Sequence, residues 1–137
     1  MHQKFVIKGR LPGLNEYTAA CRTNAYAGAG MKKKAEQLVL QALMFYGIRP
    51  AHTPIYLNYV WYEKDNRRDQ DNIAFAQKFI QDAMVNYGVI PNDSRKYIIG
   101  SSHKIETDKL DPRIEVTIEE ENTLFEEYLN EIGVRVQ

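Results

Sequence analysis

The 137-residue sequence has a single cysteine, Cys21, and no long apolar run. One cysteine cannot form a disulfide within the chain, and it provides no second thiolate for a cysteine-type zinc site. This usage predicts a protein of a reducing compartment, the cytoplasm. The first ten residues, MHQKFVIKGR, lack the apolar segment of a signal peptide. Neither a signal peptide nor a membrane span is therefore expected.

Sequence motifs of several common enzyme classes are also missing. The chain contains no G-x-S-x-G motif, no P-loop and no dinucleotide fingerprint, so we expect no nucleotide cofactor. The histidines lack the spacing of metal ligands, which predicts structural or solvent-facing roles for all of them. They are His2, His52 and His103.

The formal net charge is zero, but the charges are unevenly distributed. Residues 1–118 carry 17 basic against 12 acidic side chains, a balance of +5, whereas residues 119–137 carry one arginine against six glutamates, a balance of −5. The sequence therefore predicts a basic domain over 1–118 that can bind an anionic partner, and an acidic extension over 119–137. Within that extension, Thr123 and Glu126 match a capping box and predict a short amphipathic helix over 123–133.

Hydrophobic periodicity predicts an α+β fold in which two main helices pack on a small mixed sheet. Apolar residues at helical spacing predict helices over 31–46 and 71–87, which end at Gly47 and Gly88. The segment 11–30 has no clear period, so we expect either a mobile flap beside the functional site or a poorly ordered connection. Alternating apolar residues predict strands over 4–10, 54–62, 96–104 and 112–119, with a hairpin joining the last two.

Three acidic residues carry the candidate chemistry. Asp69 and Asp71 stand one residue apart at a predicted helix start, and Asp93 follows that helix after a short turn. Carboxylate oxygens suit Mg²⁺ or Mn²⁺, which polarise a phosphoryl oxygen and lower the pKa of a bound water. Asp93 can lie near the other two acids only if the arrangement of the strands places it at the same end of the helix. A plainer interpretation also exists, since aspartate is a common N-cap and turn residue.

Lysines near these acids suggest contact with phosphate. Lys78 lies seven residues beyond Asp71, about 10 Å along a helix, and on the same helical stripe as Asp71 and Phe75. It could stabilise charge on a reacting phosphate, or it could be an ordinary surface lysine. A lysine run is placed in the first turn of the predicted helix over 31–46, which favours a phosphate-facing role, although a solvated charge run is the commoner explanation. The run is Lys32, Lys33 and Lys34.

Taken together, these segments resemble a known family. The combination of RRDQDN, a helix that ends in DAMVNYGVI, and a following ND is similar to the RusA-type Holliday junction resolvases. These are small magnesium-dependent endonucleases of phage and prophage origin. The early PGLNEY is similar to another segment of the family, and the resemblance spans residues 4 to 118.

The resemblance implies a homodimer whose two sites nick opposing strands of a four-way DNA junction during recombination and repair. The nicks would carry 5′-phosphate and 3′-hydroxyl ends, and Mg²⁺ would be the cofactor, with Mn²⁺ as a substitute. Asp69, Asp71 and Asp93 would be the metal ligands. The expected DNA contacts are Arg67, Arg68, Asn72, Lys96, Asn15, Lys32, Lys33 and Lys34, with Asn72 also fixing the helix start.

One position departs from the family pattern. Many members carry a lysine four residues after the second acid, and this chain has Phe75 there. Lys78 could substitute for that lysine, and an exposed Phe75 could stack on a base or pack against a second copy. Two alternatives to a junction nuclease stay open. One is a junction-binding protein with weak or no cleavage, and the other is a metal-dependent phosphohydrolase with a different substrate.

Overall fold

The computed structural model describes residues 2–121 and 129–133. The fold is α+β, as predicted, with a four-stranded mixed sheet and several helices that share one hydrophobic core. The elements in chain order are β1 (His2–Lys8), α1 (Leu14–Thr23), α2 (Ala25–Phe45), β2 (Ile55–Glu63), α3 (Gln70–Ala74), α4 (Gln77–Tyr87), β3 (Ile98–Thr107) and β4 (Arg113–Glu120).

The sheet has the strand order β1-β4-β2-β3. β4 pairs antiparallel with both β1 and β2, whereas β2 and β3 run parallel, with Ile55 opposite Ile98 and Glu63 opposite Thr107. The predicted hairpin between the last two strands is therefore wrong, because β3 and β4 lie on opposite sides of β2. Alternation in a sequence shows which face a residue occupies, but it does not show which strand lies alongside.

One face of the sheet builds the core. Along β2 the alternate side chains of Ile55, Leu57, Tyr59 and Trp61 are at most 1% exposed, and the residues between them are only partly buried. Each such side chain contributes about 1.5–3 kcal/mol when it leaves water. The helices cover this face with Val39 and Leu43 from α2 and with Phe79, Ile80, Ala83 and Met84 from α4.

The segment 11–30, expected to lack regular structure as a mobile flap or a poorly ordered connection, is largely helical, so the expected lack of regular structure is wrong. α1 fills most of it, and α2 begins at Ala25, where Asn24 caps the helix by accepting a hydrogen bond from the backbone N–H of Ala27 at 2.8 Å. α1 contains no buried residue, so it shows no apolar period in the sequence. The two helices are packed closely, because a Cβ atom on Gly28 would lie 2.6 Å from Sγ of Cys21.

The early start of α2 changes the place of the lysine run. Lys32, Lys33 and Lys34 lie about two helical turns inside α2, rather than in its first turn. The helix dipole acts mainly within the first turn, so it gives no argument for phosphate binding at these lysines.

The predicted helix over 71–87 is interrupted at Phe75 and Ala76, which separate α3 from α4. Here the hydrogen bonds tighten to the i→i−3 pattern, from Ala76 N–H to Ile73 O at 3.2 Å and from Lys78 N–H to Phe75 O at 3.1 Å. The single continuous stripe expected for Asp71, Phe75 and Lys78 is therefore broken between its first and last members.

Both predicted glycine stops are confirmed. Gly47 has φ +61° and Gly88 has φ +96°, the left-handed conformation that favours glycine. After them, Ile48 donates to Leu43 O at 3.0 Å and Val89 donates to Met84 O at 2.9 Å, as in a Schellman motif.

At the C-terminal end, the sheet continues beyond the predicted domain limit. Glu119 pairs with His2 and Glu120 pairs with Ile55, so a boundary between 118 and 119 would divide β4. Glu120 is buried and accepts a hydrogen bond from His52 N–H at 2.7 Å. A helix was predicted over 123–133, and most of this range lies outside the described residues. The described residues 129–131 within it are helical. No helix among the described residues is long and apolar enough to cross a bilayer.

Candidate functional site

A charged clamp holds the chain where β2 ends. Arg68 donates from Nε to Oε1 of Glu63 at 2.7 Å and from Nη2 to Oε2 at 2.8 Å, and only 10% and 6% of the two side chains are exposed. Its Nη1 donates to Leu11 O at 3.1 Å and to Glu16 Oε1 at 3.2 Å. The arginine therefore ties the loop after β2 to the start of α1. Its donors are used inside the protein, in contrast to the predicted contact with phosphate.

Asn72 has a second structural role at the same place. Its Oδ1 accepts a hydrogen bond from the backbone N–H of Asn15 at 2.9 Å, so it fixes the start of α1 rather than the start of its own helix. A Cβ atom on Gly13 would lie 2.6 Å from this oxygen. Glycine is thus required for the close approach of α1 to α3. Asn15 is exposed, but its backbone is engaged with Asn72.

Asp69 and Asp71 differ from their neighbours in having no side-chain partner within residues 2–121 and 129–133. Asp69 is the N-cap residue of α3 but makes no side-chain cap hydrogen bond, and Asp71 lies in the first turn. Both are exposed, and no described side chain forms a hydrogen bond or ion pair with either carboxylate. Capping alone therefore does not explain Asp69. Next to them, Arg67 has 85% of its side chain exposed and lies 3.7 Å from Asp65.

Asp93 lies at the opposite end of the sheet. The segment that carries it is attached to the start of β2 by hydrogen bonds from Ala51 N–H to Val89 O at 2.9 Å and from Ile55 N–H to Tyr97 O at 2.7 Å. Asp69 and Asp71 instead follow the end of β2. A strand of nine residues spans about 26 Å, and the two groups of acids are attached at its opposite ends. Lys96 is exposed and belongs to the Asp93 end.

A single chain therefore does not provide the three-acid metal site that the sequence suggested. Within the described part of the chain, no three side chains of histidine, cysteine, aspartate or glutamate are grouped so that they could hold a metal ion. The parallel pairing of β2 and β3 is the cause, because the connection between two parallel strands must return to the end from which the first strand began. The strand–helix–strand order over 54–104 is itself a sequence signal for this parallel pairing, because a helical crossover commonly joins parallel strands.

Asp93 instead shares a polar groove with residues of α2 and α4. The groove has a volume of about 460 Å³. Oδ2 of Asp82 lies 3.4 Å from Nζ of Lys32 and 3.7 Å from Nζ of Lys78. The charge of Asp82 is the main cause that raises the pKa of Lys32. The pairing of Lys32 with Asp82 gave no signal in the sequence, because it depends on how α2 packs against α4. The groove is lined by Lys32, Glu36, Lys78, Asp82, Val85, Asn86, Asn92 and Asp93.

Phe75 is half-buried, not exposed as expected. Its ring centroid lies 5.7 Å from those of Tyr17 and Phe79, and the rings of Tyr17 and Phe79 are 5.5 Å apart. The three aromatic rings connect α1 to the junction between α3 and α4. Phe75 therefore packs within its own chain.

No family model matches this chain, and no curated protein matches it. The likeness to the RusA-type resolvases therefore depends on the spaced acids, the glycine-terminated helix and the early PGLNEY segment.

Proposed function

We propose that this protein is a structure-selective DNA endonuclease of the RusA type, which cuts four-way junctions and acts in recombination and repair. The observation that carries the proposal is the state of Asp69 and Asp71. These two carboxylates are exposed, one residue apart, and without a hydrogen-bonding or ion-pairing partner among the described side chains. The nearby Glu16 and Glu63 are both paired with Arg68.

The support beneath these two acids is rigid. The preceding residue, Arg68, is clamped to Glu63, and the following Asn72 is bonded to the start of α1. Side chains that perform chemistry need a fixed position relative to the substrate, and loops fixed by a strand end commonly provide it. Carboxylate oxygens that have no protein partner are free to bind a cation.

Contact with DNA is assigned to the cations that the protein leaves exposed. Arg67, Lys33, Lys34 and Lys96 are exposed, and they can reach phosphate without breaking a buried interaction. Arg68 and Asn72 are not included, because their polar atoms already hold the fold together. A cationic contact of this kind makes DNA binding sensitive to salt.

Mg²⁺ remains the proposed cofactor, with Mn²⁺ as a substitute, since both cations prefer carboxylate oxygens. The three acids of one chain do not form a complete set of ligands, because Asp93 lies at the other end of the sheet from Asp69 and Asp71. Asp69 and Asp71 would therefore hold the cation only together with further ligands from outside this pair.

A second candidate function is junction binding with weak or no cleavage. The observation in its favour is Phe75, which occupies the position of the lysine found in many RusA-type proteins and packs against Tyr17 and Phe79. Lys78, the possible replacement, lies 3.7 Å from Asp82 and in the groove that contains Asp93. Lys78 therefore pairs with Asp82 rather than with Asp71.

A cleavage assay on a synthetic four-way junction distinguishes these functions. With Mg²⁺ present, the wild-type protein should make paired nicks in the junction and leave a linear duplex of the same sequence intact. Asp71→Asn should abolish the nicks and retain junction binding in a gel-shift assay. Asp111→Asn is the matched control, since this acid is half-exposed and lies on a neighbouring loop.

The outcomes separate cleanly. Junction binding by the wild-type protein without nicks would support the second candidate. Equal cutting of the linear duplex would exclude junction selectivity. A normal cutting rate for Asp71→Asn would show that the acids at the start of α3 do not carry the reaction.

A further inference from the structure

We infer that a cationic pocket at the end of β2 binds a phosphate of the DNA backbone beside Asp69 and Asp71. The pocket lies between two loops, 64–67 after β2 and 108–112 between β3 and β4. The inference rests on the proposed function, and it names the part of the DNA that this side of the site would hold. It is carried by the charges of the pocket, the state of the neighbouring carboxylates, and the position of the two loops.

The cationic pocket has an excess of positive charge that the protein does not neutralise. Lys64 and Lys109 are exposed, and no described side chain forms an ion pair or hydrogen bond with either ammonium group. Arg67 has only a long contact of 3.7 Å with Asp65. Three cations therefore stand against one carboxylate around a volume of about 650 Å³, which is in the usual range of ligand sites. The pocket is lined by Lys64, Asp65, Asn66, Arg67 and Lys109.

The carboxylates of the two loops are already bound by protein groups. Oδ1 of Asp65 accepts a hydrogen bond from the backbone N–H of Arg67 at 3.1 Å. Oδ1 of Asp108 accepts one from the backbone N–H of Leu110 at 3.2 Å, and its Oδ2 accepts one from Nη1 of Arg113 at 2.9 Å. The hydrogen bond from Arg113 is the main cause that holds the pKa of Asp108 below its usual range. These acids stabilise the turns, and the two lysines are left for an anion from outside the chain.

The cationic pocket is preformed, because both loops are attached to the end of β2. The backbone N–H of Asp108 donates to Glu63 O at 2.7 Å, which joins the second loop to the last residue of the strand. Arg68 follows the first loop directly and is clamped to the carboxylate of Glu63. Little ordering of the backbone is therefore needed when an anion binds, which lowers the entropic cost of binding.

The pocket adjoins the acids of the proposed site along the chain. Arg67 stands two residues before Asp69, so their Cα atoms are at most about 7 Å apart. Successive phosphates of one DNA strand are separated by about 3.4 Å along the helix axis. A strand with one phosphate in the pocket would therefore pass Asp69 and Asp71 within roughly two nucleotides. Lys64 and Lys109 are then positioning residues that hold the strand without touching the reacting phosphate.

Free phosphate is the other source of the same chemistry. The cations of the pocket are all exposed, and an exposed cation holds a single small anion weakly because water and salt screen the attraction. A DNA strand adds the contacts of its neighbouring phosphates and releases counterions when it binds. An open pocket of exposed cations therefore suits the backbone of DNA better than an isolated anion.

The salt dependence of DNA binding tests the pocket. The affinity for a labelled four-way junction is measured by fluorescence anisotropy at several salt concentrations, without divalent cations. Each phosphate contact contributes about 0.9 to the slope of log affinity against log salt, so the double variant Lys64→Ala/Lys109→Ala should lower the slope by about 1.8. Lys64→Arg/Lys109→Arg should restore it. Lys104→Ala is the control, because this lysine lies on β3 and pairs with Glu106.

Two results of this measurement support or overturn the pocket directly. A lower slope in the double alanine variant, with the wild-type slope in Lys104→Ala, supports it. An unchanged slope in the double variant, an equal loss per lysine in Lys104→Ala, or no junction binding by the wild type at low salt would overturn it. Thermal unfolding checks the fold, and the exposed lysines should change stability by no more than about 0.5 kcal/mol each.

Ethylation interference locates the contact on the DNA. Ethylation removes the charge of one backbone phosphate, so the wild type should bind poorly when a contacted phosphate is modified. The double alanine variant should become insensitive at one or two adjacent phosphates, within roughly two nucleotides of the nick, and stay sensitive elsewhere. An interference pattern identical to wild type would contradict the assignment. Displacement of the junction by inorganic phosphate at constant ionic strength, seen with the wild type and not with the double variant, would assign the pocket to a free anion instead.

These binding measurements require no cleavage, so the pocket and the proposed function can fail separately. If the double variant loses the expected slope and the wild type does not cut junctions with Mg²⁺, the pocket stands and the endonuclease proposal fails. If the wild type cuts junctions, and the double variant binds and cuts them equally well, the pocket is overturned and the endonuclease proposal stands.

Discussion

The guanidinium of Arg68 faces the carboxylate of Glu63 in a bidentate arrangement, with both hydrogen bonds between 2.7 and 2.8 Å. The two charges are almost completely buried, so each depends on the other for its solvation. Glu63 is the last residue of β2, and Arg68 directly precedes Asp69. An arginine beside these acids could contact a phosphate or hold the fold together. The hydrogen bonds of Arg68 to Glu63 hold the fold together.

Arg68→Ala should therefore lower the free energy of unfolding by about 3–5 kcal/mol, because it leaves the buried carboxylate of Glu63 unpaired. Urea denaturation measures the change. Arg67→Ala is the matched control, because its side chain is 85% exposed. It should change the stability by no more than about 0.5 kcal/mol and should weaken junction binding. The assignment fails if Arg68→Ala is as stable as Arg67→Ala.

Two glycines in α2 should respond in opposite directions to alanine. Gly30 has no atom within 4 Å of a Cβ position, so Gly30→Ala should stabilise the protein by up to about 1 kcal/mol through helix propensity. Gly28→Ala would place its methyl group 2.6 Å from Sγ of Cys21 and should cost about 1–3 kcal/mol. Thermal unfolding compares the variants. Cys21→Ala should restore part of the loss in the Gly28→Ala background, and equal effects at both glycines would contradict the close packing of α1 on α2.

The stability of the protein should fall in mild acid because of His103. Burial lowers the pKa of this imidazole, and its Nδ1 accepts a hydrogen bond from Nε1 of Trp61 at 3.0 Å. Protonation would break that bond. The unfolded chain takes up its proton near pH 6.5, whereas the folded protein takes it up only at lower pH. Stability is therefore complete above about pH 6.5 and declines as the pH falls from there through the folded pKa.

Urea denaturation at a series of pH values measures this loss. His103→Gln should show a smaller decline in stability below about pH 6.5, because glutamine does not titrate. An NMR titration of the His103 ring gives an independent reading. An unchanged pH profile in His103→Gln would assign the acid sensitivity to other groups.

Lys78 should matter for cleavage more than for stability. Its side chain is 59% exposed and its ion pair with Asp82 is long, at 3.7 Å, so Lys78→Ala should change the stability by less than about 0.5 kcal/mol. The same variant should slow junction cleavage, because the lysine lies in the groove of Asp93. Lys104→Ala, at another exposed lysine, is the control. If Lys78→Ala cuts at the wild-type rate, Lys78 is an ordinary surface lysine with no part in cleavage.

Much of the fold could be predicted from local patterns. The alternation of Ile55, Leu57, Tyr59 and Trp61 identified the central strand, and Gly47 and Gly88 ended their helices as expected. α1 was missed because a helix without a buried face shows no apolar period. The break at Phe75 was missed because it depends on aromatic packing between α1 and the following helices.

The candidate site was less accessible to sequence reasoning. The exposure and spacing of Asp69 and Asp71 follow from local chemistry, but the distance of Asp93 depends on the parallel pairing of β2 and β3. The partner of Arg68 depends in the same way on the position of Glu63 at the strand end. Pairings between distant segments decide such properties. A strand–helix–strand order favours parallel pairing, but a single sequence does not show which strands and side chains become neighbours.

The place of β4 in the sheet has a consequence for synthesis of the chain. β4 comes last among the described strands, yet it lies between β1 and β2, and β4 is the only strand that pairs with β1 in the described part of the chain. The strand that begins at His2 therefore stays unpaired until Glu119, its partner in β4, has been synthesised. Contacts so distant in sequence form slowly and leave apolar surface open meanwhile. The nascent chain should thus need protection until β4 has been made, and a truncation before β4 should aggregate rather than fold.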